Sequence, residues 1–197
     1  MTTEITARQF GIDDAGAMDL NEFEHAVISA ALSLLDKLPA EDITIRKLSQ
    51  ALNCAPSTLL ARYKNYQNCW QFVAQKLFDY WFENKMVWLD SLDAVLERLF
   101  AFSQHQPYVW RLLFDFAPDQ QAHLIDHSHR RQQQLVSLIQ KFIQQPEQGM
   151  TAYYCLFAFC HLQARGRLVE SIDGVAQQSI LRQQLMQMTQ QDNKDTE

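Results

Sequence analysis

A chain of 197 residues with 47% hydrophobic content can bury a sizeable core, as one domain or two small ones. Only 5 Gly and 5 Pro interrupt it, helix formers are common and alternating β-branched runs are rare, a composition that favours an all-α protein. A net charge of −6 removes any argument for nucleic-acid binding from bulk basicity, though a local face can still bind; no apolar run reaches the roughly 18 residues of a membrane span.

Residues 1–20 hold Glu4, Asp13, Asp14 and Asp19 against Arg8, with Gly11 and Gly16 among them. They read as a flexible acidic arm with no secretory signal. The first helix is expected from Asn21 to Leu38, with Asn21 as N-cap and Glu22 and Glu24 in its first turn. Its apolar stripe is Val27, Ala30, Ala31, Leu34, Leu35 and Leu38, and Pro39 ends it. Thr44 caps a second helix whose inward residues are Ile45, Leu48 and Leu52. Asn53 stands where a left-handed residue closes that helix. Pro56 opens a third helix with Leu59, Leu60 and Tyr63 on its apolar side. A longer helix follows from Asn68 to Trp88, then helices over Leu89–Gln104, from Pro107, from Pro118 to Gln145, Gln148–Val169 and Val175–Thr189, about nine in all. The tail 191–197 is polar. The expected organisation is an arm (1–20), a three-helix unit (21–67), a helical domain (68–190) and the tail.

The stretch TIRKLSQALNCAPSTLLARYKNY, Thr44 to Tyr66, has the layout of a helix-turn-helix, whose second helix enters the DNA major groove. Small polar residues at the start of that helix allow close approach to base edges and phosphates. Here they are Ala55, Ser57 and Thr58, with Ala61 one turn on. Arg46 and Lys47 sit where phosphates would run, and Arg62 and Lys64 lie at the far end.

The segment resembles the TetR family of transcriptional regulators. The resemblance is carried by Ala30-Ala31-Leu32, Leu34-Leu35, Ile43-Thr44-Ile45, Leu48, Leu52, Thr58-Leu59, Tyr63 and Lys64-Asn65, over the first third of the chain. It implies a homodimer that binds a palindromic double-stranded DNA operator, usually as a repressor. Thr44, Arg46, Lys47, Ala55, Ser57, Thr58, Ala61, Arg62, Lys64 and Tyr66 are the expected DNA contacts. The departures are Asn53 where the family usually has Gly, Leu60 where it has a phosphate-binding Tyr, and Tyr66 where it has Lys. Tyr66 can still donate a hydrogen bond to phosphate, without charge. Between Asn21 and Tyr66, Glu22, Glu24, Asp36, Glu41 and Asp42 balance Lys37, Arg46, Lys47, Arg62 and Lys64, so counterion release per subunit is modest. An alternative is a helical ligand- or protein-binding module of the same fold that has lost specific DNA binding.

The resemblance further implies dimerisation through the last two helices. Tyr154, Phe157, Ala158, His161, Leu162, Arg165 and Val169 would form one face, joined by Leu181, Leu185 and Met188. The aromatic middle offers walls for a small apolar or aromatic effector: Phe102, Trp110, Phe114, Tyr153, Phe157 and His161, with Trp88, Phe100, Phe116, Tyr154 and Gln163 as further candidates. Core packing is the plainer reading of residues at such spacing. His123, His127 and His129 make a polar helix face rather than a metal site, since only two converge. Cys54, Cys69, Cys155 and Cys160 lack CxxC spacing and fit reduced thiols in a cytoplasmic protein. No phosphate-binding glycine loop, GxSxG elbow or HExxH is present, so no enzyme, metal or cofactor is expected.

Overall fold

The computed structural model describes residues 18–115, 122–143, 145–168 and 174–191. The acidic arm before Met18, Phe116, Pro118, Val169 and the tail lie outside them, as do the side chains of His123 and His127. The described residues contain nine α-helices and no strand. They are α1 (Glu22–Leu35), α2 (Ile45–Ala51), α3 (Pro56–Tyr63), α4 (Tyr66–Trp81), α5 (Leu92–His105), α6 (Pro107–Phe114), α7 (Ala122–Gln140), α8 (Pro146–Ala164) and α9 (Gly174–Gln191). A 3₁₀ turn, Ala40–Asp42, joins α1 to α2, and a π-helical turn, Phe82–Met86, extends α4.

Side-chain caps set many of these boundaries. The Asn21 carboxamide oxygen accepts from the Glu24 amide at 3.0 Å, and Glu24 accepts from the Asn21 amide at 3.3 Å. This reciprocal box satisfies two amides that the helix leaves orphaned. Thr44 accepts from the Lys47 amide at 3.2 Å, Asn65 from Asn68 at 2.7 Å and Ser91 from Ala94 at 3.2 Å. The Asn65 cap moves the start of α4 to Tyr66, ahead of the expected Asn68, and the Ser91 cap moves the start of α5 from Leu89 to Leu92. Pro56, Pro107 and Pro146 each open a helix, where a missing N–H costs nothing. α8 starts at that proline and stops at Ala164, well short of Val169. Gly166, at φ 62°, donates to the Gln163 carbonyl and Arg167 to the Leu162 carbonyl, which closes the helix.

α4 is the central element. It packs on α1 and α3 near its start and on α6 and α7 farther along. Cys69, Trp70, Val73, Ala74, Leu77, Phe78 and Trp81 are its buried residues. Trp81 meets Phe102 at 4.8 Å between ring centroids, and Trp110 meets Phe114 at 4.5 Å. Buried aromatic groups of this size contribute area burial plus about 0.5–1.5 kcal/mol per well-placed pair. α8 lies against α5, α6 and α7, and α9 packs on α5 and α8. Arg131 of α7 is buried and donates to the Leu113 carbonyl at 2.7 Å, satisfying an acceptor in the last turn of α6.

Candidate functional site

The turn between α2 and α3 is built from backbone geometry rather than side-chain bulk. The Asn53 amide donates to Gln50 at 3.0 Å and the Cys54 amide to Ser49 at 2.9 Å. Asn53 adopts φ 51°, the left-handed residue that such a closure requires and that asparagine tolerates. α3 then begins on Pro56, held by Leu59 at 1% exposure. Leu48 of α2 is fully buried. Ala55, the N-cap of α3, supplies no side-chain hydrogen bond; Pro56 has no amide hydrogen and the Thr58 amide donates to the Ala55 carbonyl at 3.0 Å, so the first turn closes on its own backbone.

The sequence-derived contact set divides in the structure. Ala55, Ser57, Thr58 and Ala61 form an exposed face of α3, and Thr44, Arg46, Lys47 and Lys64 are also exposed. A surface groove of about 450 Å³ runs between α3 and the start of α1, lined by Asn21, Phe23, Thr58, Ala61 and Arg62. Within it Arg62 pairs with Glu24 at 3.2 Å. Burial pushes the Glu24 carboxyl up, but the Asn21 amide and Arg62 outweigh it and hold the group below its usual range. Lys47 donates through Nζ to the Asp42 carbonyl at 3.0 Å.

Tyr66 stands apart from the rest. It is half-buried, its ring lies edge-on to Trp70 at 6.1 Å, and its hydroxyl donates to the Ile43 carbonyl. Burial pushes the phenol up to about 12. The donor expected for a phosphate is therefore engaged inside the fold, tying α4 to the residue just before the Thr44 cap. Leu60 is 41% exposed and adds an apolar side chain to the outer side of α3.

Two contacts join this unit to the rest of the chain and were not foreseen. α6 packs on α1 and on the Ala40–Asp42 turn, and Arg111 pairs with Glu41 of that turn. Sequence separation of 70 residues hides such a pair from any periodicity argument.

The aromatic effector candidates pack against one another. Phe102, Trp110 and Tyr153 are buried, while Phe114 and Phe157 are partly buried. Trp110 and Phe114 lie 5.9 and 5.5 Å from Phe157, which stacks on Tyr153 at 5.5 Å. The cavity among Leu99, Trp110, Leu135, Tyr153 and Leu156 is about 10 Å³, room for one water at most. His161 Nδ1 lies 2.5 Å from Asp115 Oδ1 without hydrogen-bond geometry, while Asp115 Oδ2 accepts from Arg165 Nε at 3.0 Å, so His161 sits against the end of α6. Two further candidates leave the interior: Trp88 is 80% exposed and Tyr154 63%. Trp88 falls in the connection after the π turn, where its helical spacing no longer holds.

The expected dimer face also divides. Tyr154, Ala158, Leu162 and Arg165 are exposed on α8, and Met150 extends the same stripe. Ile180 is exposed on α9. Phe157 and Leu185 instead turn into the protomer's own core: Phe157 packs on Trp110 and Phe114 of α6, and Leu185 is 1% exposed on α9, which packs on α5 and α8. Cys155 is exposed, while Cys69 and Cys160 are buried and burial pushes both thiols up to about 12.

No family model matches the chain, and no curated protein matches it. Among solved structures, its fold is similar to that of a TetR transcriptional regulator from Rhodococcus sp. RHA1. The TM-score is 0.57 at 14% identity, over 84% of this chain and 95% of that one. At that identity the likeness is one of architecture, and the chain has an all-α, TetR-like fold.

Proposed function

We propose that the protein is a DNA-binding transcriptional regulator that acts as a homodimer and represses from a palindromic operator. The observation that carries this reading is the α2–α3 unit: a left-handed closure at Asn53, a Pro56 start and an exposed face of Ala55, Ser57, Thr58 and Ala61. That face suits close approach to a major groove. Arg46, Lys47 and Lys64 flank it as phosphate partners. The uncovered apolar stripe of Met150, Tyr154 and Leu162 on α8, with Ile180 on α9, supports pairing of two copies through the last two helices. Contact of α6 with α1 and the Ala40–Asp42 turn supplies a route by which a small apolar or aromatic effector in the helical domain shifts the recognition helices. Such a ligand acts only through different affinities for the two arrangements. A cytoplasmic location follows from that role.

The decisive experiment is a fluorescence-anisotropy titration with DNA flanking the protein's own gene, at low and physiological salt. Expected is saturable binding at least a thousandfold tighter than to random DNA, in the usual range for specific regulators. Equal affinity for both DNAs overturns the proposal. In that event a second reading stands, a ligand- or protein-binding module without operator recognition. It is favoured by exposed Leu60, by the inward hydroxyl of Tyr66 and by the pairing of Arg62 with Glu24.

A further inference from the structure

We infer that the groove between the π turn and α7 binds a small amphipathic carboxylate, such as a medium-chain fatty acid. The inference goes beyond the regulator reading and stands without it. The groove measures about 300 Å³, at the small end of the range in which ligand sites fall. Phe82, Val87 and Leu138 are its apolar walls, and Arg130, Gln133, Gln134, Ser137 and Lys141 its polar ones. Among the described residues no acid lines it, and none of those five polar side chains has a hydrogen-bond or ion-pair partner. The Val87 amide donates to the Phe82 carbonyl at 2.9 Å, so both ends of the π turn reach the groove. Such i→i+5 turns are rare and recur at functional sites.

The polar residues recur at steps of three and four, which sets them along one face of α7, with Lys141 just past its end. The helical rise places Arg130 and Lys141 about 16 Å apart. That arrangement restricts the occupant. A cation would be repelled by both, and an inorganic anion would leave the apolar walls unused. A hydrocarbon would cost the amides and cations water and give them nothing in return. A phosphate backbone calls for clustered cations, whereas these two each meet a single charge. A carboxylate on an apolar chain uses every wall. Its head fits the guanidinium fork of Arg130, with the Gln133 and Gln134 amides one turn on. Its chain lies along Phe82, Val87 and Leu138 toward Lys141. The groove also adjoins the end of α4, whose first residue, Tyr66, donates to the Ile43 carbonyl just ahead of the Thr44 cap. An occupant therefore bears on the helix that supports α2.

The test compares octanoate with 1-octanol, which keeps the chain without the charge, and with acetate, which keeps the charge without the chain. Binding to the full chain is measured by calorimetry without DNA, so operator recognition does not enter. Octanoate is expected to bind about fivefold more tightly than octanol, as an exposed charge pair allows, and acetate not measurably at millimolar concentration. Arg130→Gln is expected to remove that preference without changing the melting temperature. Ser137→Asp, which sets a carboxylate in the groove, is expected to weaken octanoate about fivefold and leave octanol unchanged. Should the variants not fold, the unaltered protein reports through salt: octanoate affinity should fall from low to high salt while octanol affinity stays flat. Equal binding of octanoate and octanol, a preference that survives Arg130→Gln, acetate binding as tightly as octanoate, a salt-independent octanoate affinity, or no octanoate binding at millimolar concentration overturns the inference. Octanoate-selective binding that leaves operator affinity unchanged would sustain the site and count instead against its use in regulation.

Discussion

Lys64 closes α3 at φ 69° and ψ −45°, a region that a residue with a Cβ enters at a cost. Its amide donates to the Leu60 carbonyl at 2.8 Å, so the conformation is held by the end of α3 and the start of α4 together. Lys64→Gly is expected to stabilise the fold by about 1 kcal/mol, read as a higher urea midpoint at unchanged slope. The same change removes a candidate phosphate partner, so stability and DNA affinity should move in opposite directions. Glu24 acts on the candidate surface in another way. It draws Arg62 toward α1, where a phosphate must compete for the guanidinium. Glu24→Gln is therefore expected to tighten DNA binding about threefold at low salt and steepen the salt dependence by about one unit. An unchanged slope in an anisotropy titration would show that Arg62 does not meet the backbone.

At the scale of elements, α9 is attached by little. Leu185 is its buried residue among those described, and Arg182 pairs bidentately with Asp93 in the first turn of α5. That pairing, against a smaller opposing effect of burial, holds the Asp93 carboxyl below its usual range. A lowered carboxyl contributes stability that is present above the unfolded value, about 3.9, and is lost as pH falls through the folded value. Hydrogen exchange in α9 is therefore expected to accelerate below about pH 4, after correction for intrinsic rates, more than in α4. Asp93→Asn should abolish that difference and loosen α9 already at neutral pH. The helices themselves were largely legible in the sequence. Asn21, Thr44, Pro56 and Pro107 are local signals, and a helix start needs only local hydrogen bonds. The starts at Tyr66, Leu92 and Pro146 were equally local, marked by Asn65, Ser91 and the proline itself. The π turn after Trp81 was not legible, because its hydrogen bonds follow from packing rather than from residue type.

At the scale of the whole molecule, the apolar stripe of Met150, Tyr154 and Leu162 remains uncovered in one copy of the chain. On the proposed reading, two copies paired there would set their α3 helices about one DNA turn apart, roughly 34–36 Å, which matches a palindrome. Tyr154→Glu combined with Leu162→Glu is expected to give a monomer in analytical ultracentrifugation. Affinity for a full operator should then fall to that for a half-site. A dimer that survives both charges would place the interface elsewhere.

The amino-acid sequence by itself determined the all-α class, nearly all the helix order and the helix-turn-helix scaffold of Thr44, Leu48, Asn53, Pro56 and Leu59. Each of these rests on periodicity, caps or backbone conformation, which act over a few residues. Only the tertiary structure decided what the side chains meet. It turned the Tyr66 hydroxyl to Ile43, placed Arg62 on Glu24, joined Arg111 to Glu41, closed the aromatic cluster around a cavity of about 10 Å³ and sent Leu185 inward while leaving Tyr154 outside. Such contacts join residues tens of positions apart, and their geometry is settled by close packing between helices, for which no local signal exists in the chain.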